Sequence, residues 1–186
     1  MKAYLPLMTS ALALTFTVAA CSGEAPPPAP TPAPSPAPSP VATTPPPPPV
    51  VNEPRYENFL DAPQTAGTWT YINEPGETLA IFGTSPNNPV FAVRCSAGRI
   101  ELGRMTPQVV TGARVMSIKT ETTTRQLQAT ARSGRVNVVA ATLSANDTLL
   151  DAMAITKGRF AVGTEGMRTL YLPAWAEVTR VIEDCR

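Results

Sequence analysis

Along residues 68–172 apolar and polar side chains alternate in short runs. Turn-forming residues break these runs at roughly the 8–12-residue interval of antiparallel sheets. Residues 68–73 lead to the turn Glu74-Pro75-Gly76 and on to 78–82. Residues 89–95 place Phe91, Val93 and Cys95 on one face, and Ser96-Ala97-Gly98 turns the chain into 99–104, where Ile100 and Leu102 share a face. After a loop with Pro107 and Gly112, residues 115–120 and 125–130 are expected to pair across 121–124. Ser133-Gly134 then leads into 136–143, with Val136, Val138 and Ala140 on one side. A side-chain period of two is what a pleated strand with one buried face requires, and the threonine and valine content agrees with it. The pattern predicts a mainly β fold, a small antiparallel β-sandwich or barrel.

Helical signals punctuate the sheet. Ser144-Ala145-Asn146-Asp147 offers side-chain oxygens to orphan amides, so 148–153 is expected to form one or two turns. A hairpin of 154–156 with 159–162 about Lys157-Gly158 and a strand over 168–172 are expected next. Pro173 suits the first position of a helix, where its missing donor costs nothing. Trp175, Val178, Val181, Ile182 and Cys185 then fall on one apolar stripe, which predicts a C-terminal α-helix packed on the sheet. Upstream, Tyr56, Phe59 and Leu60 are candidates for a short first element.

The first 51 residues follow no such pattern. Met1-Lys2 is a short basic start, residues 3–20 are mostly apolar, and Val18-Ala19-Ala20 precedes Cys21. This is the three-part form of a secretory signal. The rival reading is an uncleaved transmembrane anchor, for which the stretch is just long enough. Residues 25–51 are dominated by proline. Proline fixes φ and lacks a donor, so neither helix nor sheet propagates there. The expected state is a disordered, Pro-rich tether of polyproline II character, spanning on the order of 90 Å when fully extended. A passive spacer is favoured over a docking track for an SH3-like or WW-like domain, since no basic residue flanks the prolines. The expected organisation is a signal peptide over 1–20, a lipidated Cys and Pro-rich linker over 21–51, and one β-rich domain over 52–186.

Composition narrows the function. The chain has 15 Lys+Arg against 14 Asp+Glu, and without Lys2 the charges cancel. No cationic excess recruits nucleic acid, so no such partner is expected. There is no histidine, which removes the Ser-His-Asp triad, the Cys-His dyad and the usual zinc sites. No catalytic set, metal site or cofactor is expected.

Three cysteines remain to be placed. If Cys21 is acylated, Cys95 and Cys185 form an even remainder, and an oxidising compartment argues for a structural disulfide between them. Two free thiols, one of them redox-active, is the alternative reading.

The remaining chemistry is thin. Asp147 and Asp151 would share a helix face, either as a cap with a solvated neighbour or as a carboxylate pair for acid–base work or a hard cation. Arg132, Ser133, Arg135, Lys157 and Arg159 lie near two turns and are candidates for a cationic partner-binding tip. Trp69, Tyr71 and Trp175 suit core or edge packing.

Three resemblances add to this. Val18-Ala19-Ala20-Cys21 resembles the lipobox of bacterial lipoproteins, which implies diacylation (typically palmitate) of Cys21 and cleavage before it. Ser22 after the cysteine, by the same analogy, favours the outer membrane. The tail over 150–186 resembles a C-terminal segment of uncharacterised alphaproteobacterial lipoproteins. The order Cys95, Ser133-Gly134, Lys157-Gly158, Cys185 is similar to that in membrane-bound inhibitors of C-type lysozyme, with an insert at 144–153 and a terminal helix as departures. The expectation is a periplasm-facing, lipid-anchored, non-enzymatic envelope protein whose β-domain binds an envelope protein or wall component. A lysozyme-inhibitor-like role through Ser133-Gly134 and a carboxylate-dependent hydrolase are the alternatives.

Overall fold

The period-two runs become strands in a computed structural model that describes residues 52–54 and 56–186. The expected leader, Cys21 and the 21–51 linker lie outside the described residues. The strands are β1 (Thr68–Glu74), β2 (Glu77–Gly83), β3 (Pro89–Ser96), β4 (Arg99–Thr106), β5 (Ala113–Lys119), β6 (Thr124–Arg132), β7 (Asn137–Ser144), β8 (Arg159–Thr164) and β9 (Leu170–Pro173). Two helices join them, α1 (Thr148–Ile155) and α2 (Ala176–Asp184). No helix among the described residues is long and apolar enough to cross a membrane.

All strand pairs are antiparallel, in the order β1-β2-β3-β4-β7-β6-β5-β8-β9. The expected mainly β fold with a C-terminal helix packed on it is present, and of its two forms it is the barrel-like one: the single sheet curls into a half-barrel with α2 packed on it. Ala97 (φ 50°) and Gly98 (φ 69°) make the tight turn between β3 and β4. Two left-handed residues match the twist of the flanking strands.

The concave face holds the core. Phe82, Phe91 and Phe160 are fully buried, and Trp69 meets Phe82 edge-on at 5.1 Å between ring centroids. Trp69 also reaches across the opening, where its indole Nε1 donates to Pro173 O at 2.8 Å. That bond joins β1 to β9, the two edges of the sheet. α2 closes the remaining side with Val178, Val181 and Ile182 buried, and Cys185 is bridged to Cys95 on β3.

The segment before β1 straps the outer edge of β9. Glu53 accepts from Thr169 N (2.9 Å) and Thr169 Oγ1 (2.5 Å), and Tyr56 packs edge-on against Tyr171. Phe59 is buried in a short 3-10 turn, Phe59–Asp61. Thr65 N then donates to Tyr171 O at 3.0 Å, and Tyr171 N donates back to Thr65 Oγ1 at 2.9 Å. An edge strand with bare donors and acceptors is a template for pairing with other chains, and the strap removes it.

Four expectations need correction. Residues 154–156 are not a strand: Ala154 and Ile155 finish α1 and Thr156 is its C-cap. Pro173 ends β9 instead of opening a helix, and an edge strand tolerates its missing donor. Trp175 is the N-cap residue of α2 and is 43% exposed, so the buried stripe begins at Val178. Val136 precedes β7, and Val138 and Ala140, which do share a side, stand opposite the core-facing set Val139, Ala141 and Leu143.

Candidate functional site

The carboxylate pair does not converge. Asp147 caps α1 by accepting from Leu149 N at 2.9 Å, and Arg125 grips both its oxygens at 2.7 and 2.6 Å. The Arg125 guanidinium, followed by the Leu149 amide, holds the Asp147 carboxyl below its ordinary pKa against the opposing effect of burial. Asp151 is engaged separately by Arg186. Each acid is neutralised by its own arginine, and among the described residues no group of three or more His, Cys, Asp or Glu could hold a metal ion.

Because the native pKa of Asp147 is depressed, its stabilisation is complete above the unfolded carboxylate pKa and fades as pH falls through the native one. Asp147→Ala should cost about 1–2 kcal/mol at neutral pH through loss of the cap alone, with the ion pair adding to it. Asp147→Asn keeps a capping oxygen and should cost less. Urea denaturation at pH 7 and pH 3 should show both variants closest to wild type at the acid end.

The proposed cationic tip splits in two. Ala113 of β5 stands opposite Thr130 of β6, and Lys119 stands opposite both Thr124 of β6 and Ala161 of β8. Arg132, Ser133 and Arg135 therefore lie at one end of the sheet, and Lys157 and Arg159 at the other. Arg132 pairs with Glu101, and Arg159 donates to Ala62 O. Ser133 and Arg135 are exposed in the β6–β7 turn, and Lys157 is exposed after α1. Trp69 is core, while Tyr71 lies under Arg180 at 4.0 Å and donates to Asp184 Oδ2 at 2.7 Å. That hydrogen bond raises the pKa of Tyr71.

The most unusual side chain is one that motif reading passed over. Arg104 stands opposite Phe91 and Val139, both fully buried, so it shares their concave face. Its Nη1 donates to Val90 O at 2.8 Å and Met105 O at 3.3 Å. Its Nε is buried with no partner, and among the described residues no carboxylate pairs with it. Burial lowers its pKa, yet arginine remains charged at neutral pH. The signal was present in the pattern: Ile100 and Leu102 define the inward parity of β4, and Arg104 continues it.

Arg104 lines a cleft of about 400 Å³ and is the one charged side chain among the lining residues described. Val90, Met105, Pro107 and Val136 give it apolar walls, and Asn87 and Asn88 give it amides. Both lips are fixed by local bonds. Asn88 N donates to Ser85 O at 3.0 Å, and its Nδ2 donates to Thr84 Oγ1 at 3.3 Å. On the other lip Thr106 Oγ1 donates to Gln108 O at 2.9 Å. The first lip depends on Gly83, where a Cβ would come within 2.3 Å of Asn88 O. Val136 is half exposed at the rim and belongs to the turn that carries Ser133 and Arg135.

Chemically, the cleft offers one cation, amides, an apolar surface and the Thr106 hydroxyl, which is bonded to Gln108 O, with no acid among the lining residues described. That combination can hold a monoanion bearing a small apolar group. Comparison of the chain with protein-family models, curated proteins and solved structures gave no match.

Proposed function

We propose that this chain is a lipid-anchored binding module of the cell envelope, fixed to the membrane through Cys21 and holding its β-domain on a Pro-rich spacer. The observation that carries this reading is the bridge between Cys95 and Cys185. It consumes two of the three cysteines and leaves Cys21, beside the small residues of the leader, as the remaining thiol. A disulfide of this kind suits an exported chain, and two acyl chains hold a protein stably at a bilayer. The outer membrane, with the domain facing the periplasm, is the favoured address. The module acts by binding an envelope protein or wall component, and the Arg104 cleft, with a charged side chain on apolar walls, is a place for it to do so.

Radiolabelled palmitate should enter the wild-type chain and should not enter Cys21→Ser. The variant should also leave the membrane fraction. Label retained in Cys21→Ser, or a chain found with reduced Cys95 and Cys185 in the cytosol, would overturn the anchor.

A further inference from the structure

We propose that the Arg104 cleft takes the free carboxylate end of a peptide whose terminal side chain is small and apolar. This rests on the reading of the domain as a binding module and names the group it recognises. The argument starts from cost. A guanidinium drawn out of water without a counter-charge is unfavourable, and Arg104 has only two backbone carbonyls to offset it, both at Nη1. Its Nε has no acceptor. A chain that served only to pack would do better with methionine or leucine at a position facing Phe91 and Val139.

The shape and charge of the cleft select the ligand. With Nη1 bonded to two carbonyls and Nε buried, Nη2 is the donor of Arg104 left without a partner among the described residues, and a carboxylate can accept charge-assisted hydrogen bonds from it. A single positive charge, already facing two carbonyl oxygens, balances a monoanion and leaves a phosphate dianion uncompensated. Val90, Met105, Pro107 and Val136 can cover a methyl-sized or slightly larger side chain beside the carboxylate. The Asn87 and Asn88 amides can both donate to and accept from a peptide bond. Two sources in the envelope would present this chemistry, the C-terminus of a protein with L-residues and a wall peptide ending in D-residues.

The test is a calorimetric titration of the full chain, purified in detergent, with N-acetyl-L-Ala-L-Ala and N-acetyl-D-Ala-D-Ala, each as free acid and as amide. At least one free acid should bind, and its amide should bind at least about tenfold more weakly, the scale of a lost charge-assisted pair. Preference for the L,L peptide would identify a protein terminus as the source, and preference for the D,D peptide a wall peptide. Arg104→Met should lose at least about tenfold in affinity for the acid and should melt at a higher temperature than wild type, which separates lost recognition from lost folding. Arg104→Lys keeps the charge but loses the planar guanidinium that bonds Val90 O and Met105 O while presenting Nη2, and should fall between the two. Equal affinity for acid and amide, no binding of either acid, or undiminished binding by Arg104→Met would overturn the assignment. The Cys21→Ser chain should titrate like wild type, so the anchor can fail without the cleft, and the cleft without the anchor.

Discussion

Replacing Cys95 and Cys185 together by alanine is expected to lower the unfolding free energy by about 4–5 kcal/mol, the entropy that a loop of this length restores to the unfolded chain. The bridge closes a sequence separation of 90 residues. It fastens α2, the last element, to β3, the third strand of the sheet. Apart from the bridge, α2 is held by the buried faces of Val178, Val181 and Ile182 and by Arg180 and Asp184 against Tyr71 at its surface. In the variant, α2 should therefore be the first element to exchange its amides, ahead of the central strands. Chemical denaturation with and without reductant measures the total, and hydrogen exchange locates it. A change below about 1 kcal/mol would mean that the unfolded state is already compact enough to make the constraint redundant.

Trp69→Ala is expected to cost about 3–5 kcal/mol, at the upper end for single core substitutions. The indole does two things at once. Its ring meets Phe82 at 5.1 Å, Phe91 at 6.4 Å and Phe160 at 6.5 Å, so truncation opens a cavity among three phenylalanines. Its Nε1 also joins β1 to the last residue of β9 at 2.8 Å. Trp69→Phe keeps most of the ring packing and removes the donor, and should cost about 1–2 kcal/mol by leaving Pro173 O short of a partner. Equal effects of the two substitutions in urea denaturation would show that the hydrogen bond, and not the ring, carries the closure.

The strands were legible because their inner positions are apolar and their outer ones are not. Phe91, Val93 and Cys95 on β3, and Ile100 and Leu102 on β4, point where a period of two puts them. β7 defeated the same rule. Its run Val138-Val139-Ala140-Ala141 is apolar at both parities, so alternation could not choose a face. The neighbouring strand makes the choice: Gly103 leaves space for Val138 on the outer side, where an added Cβ would stand 3.1 Å from Val138 Cγ2. Residues 154–156 read as extended because Ile155 and Thr156 are β-branched. The helix continues through Ile155 nonetheless, since Leu149, Leu150 and Met153 dock it into the core. Curling into one half-barrel depends on contacts between the ends of the sheet, which no local pattern records.

The candidate site was legible only in part. Motif spacing drew attention to Asp147, Asp151 and the turn arginines, and partners account for several of them. Arg125, Arg186 and Glu101 sit in other elements, so the neutralisation was invisible in sequence. Arg104 carried a signal of a different kind, a charge on the apolar parity of a strand. Such a break in pattern is informative because burying an unpaired charge is costly enough to need a reason.

The strap along β9 has a mechanical consequence. Tension applied from the N-terminal side reaches the fold first at Glu53, whose bonds to Thr169 bear it before Tyr56 or Phe59 is loaded. Attachments met one after another give way singly and at low force, like a zip, whereas bonds loaded side by side share the pull. The strap would thus yield stepwise and lengthen the reach of the chain. The half-barrel behind it, cross-linked through Cys95 and Cys185, would stay closed.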